Sequence, residues 1–211
     1  AVILTGEGRA FCAGVDLDDI EGELLLDPAE GGPDSPVAAA VAAFDRPIIA
    51  AVNGVAVTGG FELALMCDFM IAADRALFAD THALVGIVPG WGLTQRLARR
   101  IGAPRARQMS FTGEYVDAAT ARDWGLVNEV TAPDALLPRC RHLAAAMCEG
   151  DASVLAHYRR LIDRAAESGL EEGLAVEAAA FREYAPRVRA ADVRAILPRL
   201  AERARRQLRG G

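Results

Sequence analysis

Residues 52–65 read Val-Asn-Gly-Val-Ala-Val-Thr-Gly-Gly-Phe-Glu-Leu-Ala-Leu, and this stretch decides the fold. It passes from a β-branched segment typical of a strand, through the paired glycines Gly59 and Gly60, into an apolar helix with Glu62 in its first turn. Glycines let the main chain approach a ligand closely, and the first turn of a helix has N–H groups without helical partners. Because the helix dipole also favours negative charge there, the turn predicts an oxyanion site beside an acid or base.

A second glycine turn lies earlier in the chain. Residues 11–17 read Phe-Cys-Ala-Gly-Val-Asp-Leu and follow a strand-like segment at residues 1–6. A site that stabilises an acyl oxyanion usually takes its N–H donors from two separate segments. Either turn by itself is also explained as an ordinary connection between a strand and a helix. Their joint occurrence with Glu62 favours the functional interpretation.

Further motifs recur along the chain. They are Pro47–Gly54, Asp68–Ala73, Gly86–Gly90, Thr94–Leu97, Thr112–Gly113 and Trp124–Val127. Together with the two glycine turns they resemble the crotonase superfamily (the enoyl-CoA hydratase/isomerase family), densely over residues 1–134 and loosely beyond. The resemblance implies an α/β fold, a spiral of repeated ββα units over residues 1–134, and a helical trimerisation region over residues 135–211. Family members carry further strands and a helix before this point, so we expect the N-terminal part of the core to be missing.

The resemblance also implies a site for an acyl-CoA thioester. The thioester carbonyl oxygen is expected between the main-chain N–H groups of Val15 and Gly59, and Glu62 matches one of the two glutamates of the family's hydratases. The implied substrate-binding residues are Ala13, Val15, Asp16, Leu17, Gly59, Gly60, Gly90 and Trp91. The Trp91 side chain either fills the core or forms a wall that shortens the acyl pocket. No metal and no redox cofactor are implied, because the oxyanion hole polarises the carbonyl and coenzyme A is part of the substrate.

The second glutamate of the family's hydratases is replaced by His82. An imidazole transfers protons near neutral pH, so His82 either takes over water activation as a catalytic residue or only lines the pocket. Asp80 is near enough in sequence to be an alternative group. If His82 shares the proton transfers with Glu62, the pH profile is expected to contain a histidine-like limb near pH ~6.5.

Composition excludes several classes of protein. The 211 residues include no lysine, which excludes Schiff-base chemistry and a P-loop lysine. The net charge of −6 argues against nucleic-acid binding, and no apolar run has the length of a membrane-spanning helix. The four cysteines lack metal-ligand spacing and suit free thiols in a reducing compartment. The arginines after residue 186 are either a solvated helix face or contacts to the phosphates of a nucleotide-bearing substrate.

Short β-rich runs alternate with helical segments, which is typical of an α/β architecture. Strands are predicted at Ala1–Leu4, Ile48–Val52, Phe69–Ala72 and Val127–Val130, and a loop at Gly22–Pro36. Helices are predicted at Val37–Ala43, Gly60–Met66, Gln95–Ile101, Pro104–Phe111 and Ala118–Trp124. Beyond residue 134, helical spacing of apolar residues such as Leu155 and Tyr158 predicts helices that need an apolar partner surface. No internal repeat stands out.

The sequence therefore predicts a cytoplasmic enoyl-CoA hydratase-like enzyme that adds water across the C2–C3 double bond of its substrate, assembled as a homotrimer or a dimer of trimers. Three alternatives stay open within the enzyme class: acyl-CoA decarboxylation, isomerisation and thioester hydrolysis. A fourth is an acyl-CoA-binding paralogue with weak catalysis, which the loss of the second glutamate favours.

Overall fold

The computed structural model describes residues 1–14 and 35–209. Val15, Asp16 and Leu17 lie outside the described residues, as does most of the loop predicted at Gly22–Pro36. The end of that predicted loop is instead the start of a helix, α1, at Pro36–Ala43. The side chain of Ser35 accepts a hydrogen bond from the N–H of Ala38 and so caps α1.

A parallel sheet contains the longer strands of the chain. Its strand order is β1-β3-β5-β8, and each pair of neighbouring strands is parallel. The strands are β1 (Val2–Thr5), β3 (Ile48–Val52), β5 (Phe69–Ala73) and β8 (Glu129–Thr131). These confirm the four predicted strands. Strand β8 begins two residues later than predicted because the N–H groups of Leu126 and Val127 donate to the carbonyl of Ala121 and close the preceding helix.

This sheet is buried on both faces, as expected for a parallel sheet. Ile49 and Ile71 point to one face, where they pack with Leu136 and Cys140 of helix α6 (Pro133–Cys148). Ala50, Val52, Met70 and Ala72 point to the other face and belong to the main core. Because successive side chains of a strand point to opposite faces, each of these apolar strands contributes residues to two cores.

A second sheet consists of strands of two or three residues. The strands are β2 (Ala10–Cys12), β4 (Val55–Val57), β6 (Leu77–Ala79) and β7 (Val116–Asp117), in the order β2-β4-β6-β7. The first three are parallel and β7 is antiparallel to β6. Of these four strands, only β4 lies in a segment that the sequence marked as strand-like, because strands this short show no period-two pattern. This sheet nevertheless positions the site.

The helices complete a repeating unit. After α1 they are α2 (Gly59–Met66), α3 (Leu93–Ile101), α4 (Ala103–Thr112) and α5 (Ala118–Asp123). The pairs β1–β2, β3–β4 and β5–β6 each place the first strand in one sheet and the second strand in the other. The pairs β1–β2 and β3–β4 are followed by α1 and α2. The α/β fold of ββα units implied by the resemblance is confirmed.

The chain divides into two compact units, residues 1–156 and 157–211. The domain boundary predicted from the sequence lies near residue 134, whereas the first compact unit extends to residue 156 and includes helix α6, which covers the first sheet. The helices that follow are α7 (Ala152–Ala165), α8 (Leu170–Tyr184) and α9 (Ala190–Arg209), with a 3₁₀ turn at Ala185–Arg187.

The second unit has exposed apolar side chains, among them Tyr158, Ile162, Phe181, Ile196 and Leu200. Most of its described arginine side chains are exposed as well, in keeping with a solvated face. Phosphate contact by these arginines stays a prediction. Of the helices in the described part of the chain, none combines the length and the apolar composition needed to cross a membrane.

We predict that Gly60→Ala destabilises the fold while Gly59→Ala does not. A Cβ on Gly60 would lie 2.0 Å from the carbonyl oxygen of Cys12, whereas a Cβ on Gly59 would meet no atom within 4 Å. Overpacking of this kind typically costs about 1–3 kcal/mol. Urea unfolding of both variants measures the difference. Equal stability of the two variants would contradict the close packing of α2 on β2.

Candidate active site

The carboxyl ends of three parallel strands meet at one edge of the second sheet. Cys12 of β2 pairs with Ala56, and Val57 of β4 pairs with Ala79 of β6. The segments that follow these strands therefore lie side by side. Gly14 follows β2, and a Cβ on it would lie 3.9 Å from the nitrogen of Gly59. The two glycine turns of the sequence thus approach each other at this edge.

Thr58 joins β4 to α2 in an unusual backbone conformation. Its φ of 53° and ψ of −117° are values that a β-branched residue rarely adopts. Its N–H donates to the carbonyl of Ala79, and its hydroxyl is hydrogen-bonded to the hydroxyl of Thr81. These bonds hold the start of α2, whose first N–H groups, beginning with that of Gly59, have no partner within the helix.

Glu62 is buried in the first turn of α2, with 3% of its surface exposed. Its Oε1 accepts hydrogen bonds from the main-chain N–H groups of Trp91, at 2.8 Å, and Leu93, at 3.2 Å. The carboxylate therefore anchors the segment that leads into α3. Its apolar sequence neighbours predicted burial, but nothing in the sequence indicated these two donors.

His82 lies on the other side of Glu62, in a 3₁₀ helix at His82–Val85. Its Nε2 is 3.5 Å from Oε2 of Glu62. Its Nδ1 is 2.7 Å from Oδ1 of Asp80, which also accepts the main-chain N–H of His82 at 3.2 Å. The imidazole thus bridges two carboxylates, and all three residues are at least 95% buried.

The environment favours the imidazolium form of His82. Burial by itself lowers the pKa of the ring, but the hydrogen bonds and charges of Asp80 and Glu62 outweigh burial and raise the pKa to about 9. For Asp80, burial favours the neutral acid, but hydrogen bonds from His82 and from the side chain of Ser110 on α4 lower the pKa of the carboxyl. The histidine-like limb of the pH profile stays a prediction, and in this environment we expect it nearer pH 9 than pH 6.5.

The structure brings four of the candidate residues together at this edge. Glu62 and His82 are in contact, Gly59 begins the helix that carries Glu62, and Trp91 bonds to Glu62 through its main chain. Gly60 has a packing role against Cys12, and its substrate contact stays a prediction, as do those of Ala13, Gly90 and the Trp91 side chain. Val15, Asp16 and Leu17 lie in the segment that is not described.

Sequence reasoning missed four contributors to the site. They are Thr58, Thr81, Ser110 and the main chain of Leu93. Asp80 was considered only as a substitute for His82, whereas the structure makes it the partner of His82. A residue two positions before a histidine is a weak local signal, because a hydrogen bond between the two depends on the turn that connects them.

Comparison with known proteins agrees with this architecture. A model of the enoyl-CoA hydratase/isomerase family matches residues 1–203. The chain belongs to this family. It is 39% identical over 176 residues to an Arabidopsis thaliana protein named "probable enoyl-CoA hydratase 1, peroxisomal", a match that covers 83% of this chain and 66% of the relative. The chain thus spans slightly less than two thirds of that curated relative.

Solved structures of the enoyl-CoA hydratase/isomerase family share the fold. A structure from Geobacillus kaustophilus HTA426, named as an enoyl-CoA hydratase subunit I, has a TM-score of 0.80 at 33% identity, and the match covers 96% of this chain and 77% of that chain. A monofunctional enoyl-CoA isomerase from Mycobacterium smegmatis has a TM-score of 0.66 at 34% identity, covering 81% and 73% of the two chains. Likeness of fold therefore does not separate hydration from isomerisation.

We predict that His82 contributes a pH-dependent part of the stability. Its pKa rises from 6.5 to about 9 on folding, so its contribution is full below pH 6.5 and is lost as pH rises through about 9. The measurement is urea unfolding of the parent and His82→Gln from pH 6 to pH 10. The difference in unfolding free energy is expected to shrink over this range, and a constant difference would contradict the raised pKa.

Proposed function

We propose that this protein hydrates enoyl-CoA thioesters, with Glu62 and His82 as its catalytic residues. The observation that carries the proposal is the buried contact of 3.5 Å between a carboxylate and an imidazole, beside the open first turn of α2. The names of similar family members, which include crotonyl-CoA and short-chain-enoyl-CoA hydratases, support this choice of reaction. Membership of a family of enzymes supports turnover over mere binding.

Hydration needs one base and one acid on the same face of the substrate. Oε2 of Glu62 accepts a proton from water while the water oxygen bonds to C3, and the electron pair of the C2–C3 double bond moves towards the thioester oxygen. The Nε2–H of the His82 imidazolium then supplies a proton to C2. Transfer of the proton from Glu62 to His82 restores both groups. With a pKa of about 9, His82 is almost entirely protonated at neutral pH and ready for this role.

The developing negative charge requires an oxyanion hole. We assign its donors to the main-chain N–H groups of Gly59 and Val15, supported by the approach of Gly14 to Gly59 and by the space around Gly59. One such donor is typically worth about 3–4 kcal/mol of transition-state stabilisation. Ala13, Asp16, Leu17 and Gly90 complete the proposed substrate contacts, and Trp91 limits the acyl pocket. A liganded structure with the thioester oxygen beyond hydrogen-bond range of Gly59 would contradict this assignment.

We also propose the substrate, the cofactor requirement and the compartment of the reaction. The substrate is an acyl-CoA, no metal or redox cofactor is needed for the proton transfers, and no nucleic acid or membrane takes part. The free cysteines among the described residues support a reducing compartment such as the cytoplasm.

A panel of substrates separates hydration from its alternatives. The full-length protein is incubated with enoyl-, malonyl- and hydroxyacyl-CoA thioesters, and the product masses are recorded. A gain of 18 mass units on an enoyl-CoA supports hydration. Loss of carbon dioxide, release of free coenzyme A, or a shifted double bond at constant mass would instead assign decarboxylation, thioester hydrolysis or isomerisation. Binding without any product would assign a binding paralogue.

We predict that Glu62→Gln lowers kcat by about 10²- to 10⁴-fold while preserving affinity. The amide oxygen still accepts the N–H groups of Trp91 and Leu93, so the pocket keeps its shape, but the side chain no longer accepts a proton from water. Steady-state kinetics and acyl-CoA binding are measured together. The matched control is Glu114→Gln on an exposed residue, which is expected to retain the parent's rate. Parent-like turnover of Glu62→Gln would leave Glu62 only its structural role.

We predict a homotrimer or a dimer of trimers, assembled largely through residues after 134. The exposed apolar side chains of α7, α8 and α9 support this, since such a surface is costly to leave in water. Light scattering of the full-length protein at micromolar concentration measures the mass. A monomer would contradict the assembly, and Phe181→Asp is expected to weaken it.

A further inference from the structure

We infer that Asp80 is a positioning residue that enables His82 to replace the second glutamate of the family's hydratases. The inference rests on the proposed function, and it concerns a side chain that does not touch the reacting atoms. Asp80 follows β6 directly, is 2% exposed, and lies on the side of His82 opposite to Glu62. Its role is to keep one ring nitrogen occupied so that the other is available to the reaction.

One oxygen of Asp80 holds both the ring and the main chain of His82. Oδ1 accepts Nδ1–H at 2.7 Å and the main-chain N–H at 3.2 Å. With its ring and its backbone bound to one buried oxygen, the imidazole keeps a single orientation. Nδ1 must carry hydrogen to make this bond, and Nε2 is then the atom that faces Oε2 of Glu62. The geometry therefore fixes which nitrogen exchanges protons with the substrate.

Asp80 is itself held from a third element. The hydroxyl of Ser110, on α4, donates to the Asp80 carboxylate. The charged groups that act on His82 within the described residues are Asp80 after β6 and Glu62 on α2. Glu62 also accepts main-chain N–H groups from Leu93 at the start of α3 and from Trp91 before it. Polar contacts thus run from Ser110 through Asp80 and His82 to Glu62.

The charge of Asp80 matters because an ordinary histidine is a poor substitute for a carboxylic acid at neutral pH. With an unperturbed pKa of ~6.5, only about one tenth of the rings carry the second proton at pH 7.5. Beside Asp80 the protonated form dominates. Asp80→Asn keeps an oxygen that accepts both N–H groups but removes the charge. Because Glu62 still favours the protonated ring, we expect kcat at pH 7.5 to fall by less than the tenfold that a fully unperturbed histidine would give, with little change in KM.

The decisive measurement is an NMR titration of the imidazole rings, which needs no enzymatic activity. The sequence has three histidines, so His82→Gln assigns the His82 signal, and His142 and His157 serve as internal references. In Asp80→Asn the pKa of His82 is expected to fall by at least one unit. The matched control, Asp74→Asn on an exposed turn, is expected to leave the His82 pKa unchanged. An unchanged His82 pKa in folded Asp80→Asn would overturn the inference.

The parent protein provides a second test that does not depend on any variant folding. Above pH 9 the neutral ring of His82 is expected to keep its proton on Nδ1, which nitrogen chemical shifts report directly. A neutral ring with its proton on Nε2, or titration of His82 near pH 6.5, would overturn the inference. Because these measurements do not involve turnover, the inference and the proposed hydratase reaction can fail separately.

A double-mutant cycle tests whether Asp80 acts through His82. His82→Glu restores the second carboxylate of the family but places it between Asp80 and Glu62, so three carboxylates share one buried site. We expect Asp80→Asn to lower kcat in the parent and to raise it in the His82→Glu background. A merely structural role would lower kcat by the same factor in both backgrounds. Additive effects would therefore overturn the inference, whereas a change of sign supports it.

Discussion

The parallel pairing of β4 with β6 is the contact on which the site depends. Each strand has three residues, and the register that opposes Val57 to Ala79 fixes where the following segments begin. Just after this pair, the segment that follows β4 leads into α2, and the segment that follows β6 leads into the 3₁₀ helix. A shift of this register by one residue would send alternate side chains to the opposite face and separate Glu62 from His82. The neighbouring pairing of β2 with β4 brings the other glycine turn to the same edge.

Thr58 shows what this turn demands of the backbone. A β-branched residue at φ 53° carries strain that glycine would avoid. The strain persists because the surrounding bonds determine the conformation: its N–H is held by the carbonyl of Ala79, and its hydroxyl is bound to that of Thr81. Both partners belong to the segment that leads to His82. The connection that orients the first N–H groups of α2 is therefore the same connection that places the imidazole.

Burial of two carboxylates near each other is costly unless each finds partners. Here one imidazolium lies between them, two main-chain N–H groups bind Glu62, and Ser110 binds Asp80. In the proposed mechanism, a pair of residues thus takes the place of the second glutamate of the family's hydratases. In the proposed mechanism His82 supplies an acidic proton, and the negative charge of Asp80 favours the protonated ring. A histidine in this position without Asp80 would lose one of the two carboxylates that raise its pKa.

The sequence by itself determined the local elements of this protein. The paired glycines before an apolar run predicted α2 with Glu62 in its first turn, and the apolar runs at residues 48–52 and 69–72 predicted the buried strands β3 and β5. These signals lie within a few residues of the structure that they predict. The second sheet, the bonds from Trp91 and Leu93 to Glu62, and the joining of Asp80 to Glu62 through His82 were decided only by the tertiary structure. They depend on strand register and on burial, which bring together residues separated by up to about thirty positions. No local sequence pattern indicates which of these distant residues will be in contact.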